Sequence, residues 1–522
     1  MKISINDSEF DLSWTKALYF LVIAFFVLYI VKDLDYNTAF VDEAIYATVG
    51  EEVLRGIFWE DAASWMGGSY IYPVTSALIN REFGLKGVRF FSMVCILMSA
   101  ILCGKIGKAL GGKKVELITV FLFLFSSISL NLAQLGTYDA PALAFTTLGL
   151  YTAILARGEQ KHKEIILVFA SAIFISIAIL IKYVAILFLP VIGFIILFKK
   201  RRIVVSPVFL WTLAVLTVLT LFLTYYQNDV VAFFTGGHSE EPADLVKIMR
   251  LFVSDVGFIS LSASLGLLFI LRDNLHFSKT GTKSEKISFS FFPQESQIQT
   301  VAKSSEEKKL IILFLVFGGF APLIYHFGFL NIRSFSKHMV FSLVFWAPVS
   351  AWALYKLYKF AEGRGKKANI ISNLAQLILT LFLVAIITTL WINFSKHWRF
   401  QRSWPSASRI ITFLQENRRP EDKIFAEASA IYKYHLFSGF EDPYSWSSTW
   451  YLEYKGKKGE DAMKIALRDQ SFSYIILNNY YTQSINEELL PDIEKYYYVI
   501  FEDSYKVSGQ YDNLTTVWAP KL

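Results

Sequence analysis

Long apolar runs alternate with short polar segments over residues 1–393. A helix needs roughly 20 apolar residues to cross the hydrocarbon core of a bilayer. Eleven runs predict eleven membrane-spanning helices, at residues 14–31, 87–103, 115–130, 138–156, 164–181, 184–198, 204–225, 254–271, 310–328, 338–355 and 370–393. Lys182 separates the fifth run from the sixth, and the two could also be read as one long run.

The distribution of lysine and arginine supports this division. These residues accumulate in the short cytoplasmic loops of membrane proteins. With the N-terminus inside, every second loop is basic, with clusters at residues 105–114, 157–163, 199–202, 272–309 and 356–367. Separate fifth and sixth helices preserve the alternation and put Lys182 at the outer end. The odd number of spans then leaves residues 394–522 outside.

Residues 394–522 lose the continuous apolar character. Amphipathic stretches at 408–417 and 460–469 alternate with strand-like runs at 423–427, 474–477 and 497–501, a pattern typical of a small α/β domain. The predicted fold class is a polytopic α-helical membrane protein with a C-terminal soluble α/β domain. Its transmembrane domain is expected at residues 1–393, with a first outer loop at 32–86, and the extracytoplasmic domain at 394–522.

Composition agrees with a membrane protein and excludes other classes. Hydrophobic residues make up 54% of the 522 residues, which is high for a soluble chain. The formal charge of +7 does not indicate a nucleic-acid-binding protein, because the basic residues lie between hydrophobic segments. The two cysteines, Cys95 and Cys103, lie in one apolar stretch, so neither a disulfide framework nor a thiolate metal site is expected. The first apolar run is expected to stay as a helix, since acidic residues and not a cleavage site follow it.

Carboxylates at the outer ends of helices are the first candidates for chemistry. Asp42 and Glu43 lie side by side in the first outer loop, and Asp139 precedes the fourth span on the same side. A positioned carboxylate can take the proton of an attacking hydroxyl. Acids at helix N-termini also serve as ordinary caps, and this alternative stays open for all three.

Cations on the same outer side are the second group of candidates. Lys182 follows the fifth span, and Arg333, Lys337 and His338 lie at the start of the tenth. Such groups could neutralise a phosphate leaving group. The alternative is that each side chain reaches lipid headgroups at the membrane surface.

Five segments, taken in order, resemble the GT-C fold glycosyltransferases, within them the branch of the dolichyl-phosphate-mannose protein mannosyltransferases and the aminoarabinose transferase of lipid A. The resemblance covers about residues 14–355 and depends on order and spacing. The segments are Asp42–Tyr46, Tyr72 through Gly84 to Arg89, Thr137–Pro141, Lys182–Tyr183 with Pro190, and Ser336–His338 running to Pro348.

The resemblance implies an inverting transfer of a sugar from a polyprenyl phosphate. By position, Asp42 is the catalytic base, and Glu43 and Asp139 assist or orient. The candidates for binding the donor phosphate are Lys182, Arg333, Lys337 and His338, and further contacts to donor or acceptor are expected from Tyr72, Arg89 and His238. Two departures matter: Tyr72 stands where many relatives have lysine, and Lys337-His338 stands where arginine-tyrosine is common.

No cofactor is required in this interpretation. Asp42, Glu43 and Asp139 could together hold a divalent ion, as related diphosphate-donor oligosaccharyltransferases do, but we assign no metal. The seven histidines show no metal-ligand spacing. His238 lies on an outer loop and would reach the site only if that loop folds over it.

The sequence therefore predicts an integral, multi-pass membrane glycosyltransferase that acts on the extracytoplasmic side. Its partners would be a polyprenyl-phosphate-linked sugar, a glycan, lipid or protein acceptor, and membrane lipids, with no nucleic acid. The main alternative is a polyprenyl-phosphate transporter or flippase. Transporters often have paired halves with matching interrupted helices, and no internal repeat is visible here.

Overall fold

The computed structural model describes most of the chain. The described residues are 7–57, 67–157, 159–199, 202–203, 205–235, 244–279, 305–330, 332, 334–364, 370–437, 442, 445–449, 452–507 and 513–521. Arg333 and His238, two of the predicted site residues, lie outside these ranges.

The first part of the chain is helical. Its elements are α1 (Asp7–Val31), α2 (Val41–Leu54), α3 (Ile71–Gly111), α4 (Lys113–Leu124), α5 (Ser127–Ala133), α6 (Asp139–Ala156), α7 (Lys161–Ile181), a 3-10 helix (Tyr183–Phe188), α8 (Leu189–Leu197), the hairpin β1 (Phe198–Lys199) and β2 (Arg202–Ile203), α9 (Val205–Thr235), α10 (Leu245–Lys279), α11 (Ser305–Gly319), α12 (Ala321–Phe329), α13 (Phe335–Arg364) and α14 (Ile370–Phe400).

Nine helical segments in the described part of the chain are long and apolar enough to cross a membrane. Nine of the eleven predicted runs overlap these segments, so the expected class, a multi-pass membrane protein, is confirmed. The other two differ in form. The run at 115–130 is the pair α4 and α5, bent by 67°, and the run at 184–198 is a shorter apolar helix from Tyr183 to Leu197.

Burial separates central helices from lipid-facing ones. In the most apolar stretch, 89% of residues are buried in α13 and 78% in α6, against 11% in α1 and 6% in α14. Helix α13 packs against α3, α4, α10 and α11, and α6 packs against α3 and α7. Helices α6 and α13 are thus central to the bundle, and the first turn of each carries residues predicted to act in the site.

Gly84 breaks the long helix α3 into two arms. Its backbone has φ 63° and ψ −167°, a combination that only glycine adopts without strain. The first arm carries two exposed apolar side chains, Leu78 and Phe83, which are 49% and 72% exposed. The second arm carries Arg89.

The C-terminal part mixes helices and strands, as predicted. Its elements are α15 (Ser408–Asn417), β3 (Ile424–Ala426), α16 (Ser429–Leu436), β4 (Trp446–Ser448), β5 (Glu453–Tyr454), β6 (Lys457–Lys458), α17 (Gly459–Arg468), β7 (Tyr474–Leu477), α18 (Gln483–Tyr496), β8 (Tyr497–Tyr505) and β9 (Asn513–Pro520). The main sheet has the order β4-β3-β7-β9-β8. Its β3 is parallel to β4 and β7, whereas β9 is antiparallel to β7 and β8.

The C-terminal part docks on the segment that carries Asp42. Helix α16 packs against α2, and Lys433 on α16 forms a buried ion pair with Glu52 on α2. The Tyr434 hydroxyl donates to Asn80 Oδ1 at 2.5 Å. Trp404 Nε1 donates to the carbonyl of Thr38 at 3.3 Å. The two parts therefore share packed and hydrogen-bonded contacts around the first loop.

Candidate active site

Two carboxylate–lysine pairs meet at one end of the helix bundle. Asp42, in the first turn of α2, pairs with Lys337 in the first turn of α13. Asp139, the first residue of α6, pairs with Lys182, which follows the last turn of α7. A carboxylate in the first turn of a helix is stabilised by the helix dipole. Four separate segments thus bring their ends, and these charges, together.

The two pairs are neighbours with different exposure. The charge of Lys337 acts on Asp139 as well as on Asp42, and Lys182 Nζ lies 4.7 Å from the ring centre of Tyr138. The side chains of Asp139 and Lys182 are 0% and 4% exposed, against 25% and 24% for Asp42 and Lys337. A ligand from outside can therefore reach the Asp42–Lys337 pair first, with the other pair behind it.

Glu43 has a different environment from its neighbour Asp42. The Arg89 guanidinium donates to both Glu43 oxygens, at 2.9 Å from Nε and 2.8 Å from Nη2. The backbone N–H groups of Phe40 and Gly136 donate to the same carboxylate at 2.8 and 2.7 Å. Both side chains of the pair are fully buried. This pair joins the first loop to α3 and to residue 136, and so holds Asp42 in place.

Arg89 also organises the chain before α2. Its Nη1 donates to the carbonyls of Leu34 and Asn37 at 2.9 and 3.2 Å. The Arg89 guanidinium also makes a cation–π contact with Tyr36, in which the guanidinium carbon lies 4.4 Å from the centre of the ring. Burial raises the pKa of Tyr36 far above its ordinary value. The structure places Arg89, predicted as a donor or acceptor contact, in this buried network.

Three tyrosines form an aromatic cluster beside the two ion pairs. The ring centres of Tyr46 and Tyr138 are 4.8 Å apart, those of Tyr46 and Tyr72 5.3 Å, and those of Tyr72 and Tyr138 6.4 Å. Burial raises the pKa of Tyr46 well above its usual value, so its phenol stays protonated. Tyr72 is 2% exposed and belongs to this cluster.

His338 lies next to the lysines and contacts a second histidine. The charges of Lys182 and Lys337 act on its ring, and its Nδ1 is 3.0 Å from Nε2 of His326 on α12. The sequence analysis assigned no role to His326. An ionisable residue within a membrane span is itself a signal of function, and that signal was present in the sequence.

The C-terminal domain contributes a loop to the site. Glu427, directly after β3, accepts hydrogen bonds from the backbone N–H groups of Asn478, Asn479, Tyr481 and Thr482 and from the Asn486 amide. Burial raises the pKa of Tyr481 well above its usual value, and the charge of nearby Asp42 contributes. No linear motif identifies this loop, because Glu427 meets it only after the strands pair.

A divalent metal does not fit these residues. Among the described residues, no group of three or more His, Cys, Asp or Glu side chains is suited to hold a metal ion. Asp42, Glu43 and Asp139 face Lys337, Arg89 and Lys182 respectively. The carboxylates are thus directed at three different cations and not at one common point.

Known proteins match the chain in both sequence and fold. The sequence model of the family described as dolichyl-phosphate-mannose-protein mannosyltransferase matches residues 66–226, a stretch that includes Tyr72, Arg89, Asp139 and Lys182. No curated protein sequence matches the chain.

Two crystal structures of ArnT from Cupriavidus metallidurans have the same fold. They are the apo state and the state bound to undecaprenyl phosphate, with TM-scores of 0.56 and 0.55 and identities of 11% and 12%. Each alignment covers 95% of this chain and 97% of ArnT. An oligosaccharyltransferase from Archaeoglobus fulgidus, crystallised with Zn and sulfate, aligns at 13% identity with a TM-score of 0.49, over 91% of this chain and 69% of its own.

The predicted resemblance is therefore confirmed at the level of fold. At identities of 11% and 12%, the likeness to the ArnT structures shows the fold alone. The family match adds a sequence pattern over residues 66–226, which include Asp139 and Lys182. The chain is a multi-pass membrane protein of the GT-C fold that it shares with ArnT, and its residues 66–226 carry the pattern of the dolichyl-phosphate-mannose-protein mannosyltransferases.

Proposed function

We propose that the protein transfers a sugar from a polyprenyl phosphate to an acceptor hydroxyl at the extracytoplasmic face of the membrane, with Asp42 as general base. The observation that carries this proposal is the partly exposed Asp42 carboxylate paired with Lys337, whose charge acts, with that of Lys182, on His338. The family match and the ArnT structure bound to undecaprenyl phosphate support the choice of donor.

The first step is an exchange of ion-pair partners. Lys337 is paired with Asp42 in the structure. A donor phosphate carries negative charge and would attract Lys337, because charge-assisted hydrogen bonds to phosphate are strong. Movement of the lysine toward the phosphate leaves the Asp42 carboxylate free to accept a proton. Donor binding would thus activate the base.

The transfer step then follows as one displacement. Asp42 takes the proton of the acceptor hydroxyl as its oxygen attacks the anomeric carbon. The bond between that carbon and the phosphate oxygen breaks, and the electron pair leaves with the polyprenyl phosphate. Lys337 and Lys182 neutralise the charge that develops there. Attack opposite to the leaving group inverts the anomeric centre.

The remaining acidic residues take supporting roles in this proposal. Asp139 holds Lys182 in the buried pair, and Glu43 with Arg89 maintains the position of Asp42. Arg333 remains a candidate for the donor phosphate and His238 a candidate contact, and both lie outside the described residues. The division into a transmembrane catalytic domain at 1–393 and an extracytoplasmic domain at 394–522 is part of the proposal, although α14 continues to Phe400.

The proposal is tested by donor consumption. The purified protein in nanodiscs is given a panel of radiolabelled polyprenyl monophosphate sugars, and release or transfer of the sugar is measured. Asp42→Asn should reduce turnover by about 10²-fold or more, as expected for loss of a general base, with donor binding retained. Asp35→Asn is the matched control, because Asp35 lies in the same loop with its side chain 70% exposed.

Two results would contradict the proposal. Near-normal turnover by Asp42→Asn would remove its role as base. No consumption of any donor, with binding of bare undecaprenyl phosphate retained, would favour the transporter or flippase interpretation.

A further inference from the structure

His326 and His338 form a hydrogen-bonded imidazole pair next to the candidate phosphate site. His326 Nε2 lies 3.0 Å from His338 Nδ1, and the ring centres are 5.1 Å apart. His326 is fully buried, and its ring packs on Phe335 with the centres 4.8 Å apart. His338 is partly exposed. One histidine of the pair is thus held in the core, and the other is partly exposed.

The single proton between the two rings determines what His338 can offer. If His326 Nε2–H donates, His338 Nδ1 is the acceptor, and a neutral His338 carries its proton on Nε2. If His338 Nδ1–H donates, its Nε2 is a bare lone pair. Only the first arrangement presents an N–H group to an anion, because a lone pair repels phosphate oxygens.

Charge explains why the tautomer matters at this position. Lys182, Lys337 and His326 all act electrostatically on His338, and two of them are ammonium groups. A neutral His338 adds no third positive charge beside these two ammonium groups. A neutral imidazole can stabilise phosphate only through a correctly placed N–H. The residue that fixes the tautomer therefore controls whether His338 contributes.

We propose that His326 is a positioning residue that donates its Nε2–H to His338 and thereby presents the Nε2–H of His338 to the phosphate of a polyprenyl phosphate. This inference rests on the proposed phosphate site. The same arrangement orients metal-bound histidines, where the hydrogen bond of one ring nitrogen sets the role of the other. Here the ligand is a phosphate monoester, and no bond is formed or broken in the histidine pair.

Binding of undecaprenyl phosphate to the full chain in nanodiscs tests this inference without any acceptor. His326→Phe fills the space but cannot donate, whereas His326→Gln keeps an N–H donor near the position of Nε2. His326→Phe should weaken binding about tenfold, the effect of losing a hydrogen bond to a charged group. His326→Gln should restore most of the affinity. The effect of His326→Phe should be small in a His338→Phe background, because both changes remove one contact.

Several outcomes would overturn the inference. These are wild-type affinity in His326→Phe, equal losses in His326→Phe and His326→Gln, or an undiminished effect of His326→Phe in the His338→Phe background. If Lys337→Ala still weakens binding in those cases, the proposed function survives. If the wild-type protein binds no undecaprenyl phosphate, both the inference and the phosphate site are rejected.

A spectroscopic measurement covers the case in which His326→Phe does not fold. Solid-state NMR of the ¹⁵N-histidine-labelled protein reports which ring nitrogen carries the proton, and comparison with His338→Gln assigns the signals of His338. We expect protonated Nε2 and unprotonated Nδ1 for His338. The opposite tautomer would refute the positioning role.

Discussion

Asp42 and Lys337 illustrate how single residues acquire a role from their surroundings. Both side chains are about one-quarter exposed, while Asp139, Lys182, Glu43 and Arg89 are almost completely buried. An exposed pair can be opened by an incoming anion at low cost, whereas breaking a buried pair strands an uncompensated charge. We therefore expect Asp42 and Lys337 to exchange partners when a ligand binds, while the buried pairs hold these two residues in position.

Lys337→Ala tests the exposed pair from the side of the cation. We expect a weaker affinity for undecaprenyl phosphate, by about tenfold or more, because a charge-assisted hydrogen bond is lost. Lys359→Ala is the matched control, since Lys359 lies on the same helix and pairs with Glu362 at an exposed site. Equal affinities for Lys337→Ala and wild type would remove Lys337 from the phosphate site.

At the scale of elements, interruptions of helices position the site. Helix α7 ends at Ile181, the backbone of the next residue, Lys182, is extended, and the 3-10 helix follows at once. The pair α4 and α5 bends by 67°, and α3 bends at Gly84. A continuous apolar run predicts a span but not such a break, because hydropathy does not record backbone angles. This is why two of the eleven predicted spans took other forms.

Gly84→Ala should lower the apparent melting temperature. A Cβ at Gly84 meets no atom within 4 Å, so the cost comes from the backbone at φ +63° alone, of the order of 1–3 kcal/mol. Gly328→Ala is the control, because its Cβ also meets nothing within 4 Å and its φ is not positive. Equal melting temperatures for the two variants would show that α3 tolerates a straight backbone at residue 84.

At the scale of the whole molecule, the docked C-terminal domain completes the surroundings of Asp42. One buried contact in this interface is ionic: the side chains of Glu52 and Lys433 are 2% and 6% exposed. Burial raises the pKa of Glu52 above its ordinary value of 4.5, and Lys433 opposes that effect. The docking contact therefore depends on pH.

The sign of this dependence follows from the raised pKa. The stability that protonated Glu52 contributes is fully present below about pH 4.5 and is lost as the pH rises through the raised pKa of the folded state. Lys433→Met should accordingly cost more at about pH 7.5, where Glu52 is charged and unpaired, than at about pH 4. A near-neutral loss of about 3 kcal/mol or more is expected.

Thermal unfolding at the two pH values checks this expectation. Lys455→Met is the control, since Lys455 pairs with Asp469 at an exposed site, where ion pairs contribute little. An equal loss for Lys433→Met at both pH values would contradict the role assigned to Glu52 ionisation.

The sequence by itself determined the membrane class, most of the spans and the mixed C-terminal domain, because hydropathy and basic loops are local properties of the chain. It also indicated Asp42, Asp139, Lys182 and Lys337 as candidates on one side. Only the tertiary structure decided which charges pair, since Asp42 and Lys337 are separated by 295 positions. It also separated Glu43 from Asp42 and brought in His326 and Tyr481. Such contacts depend on how helix ends and strand edges meet in space, which no local pattern encodes.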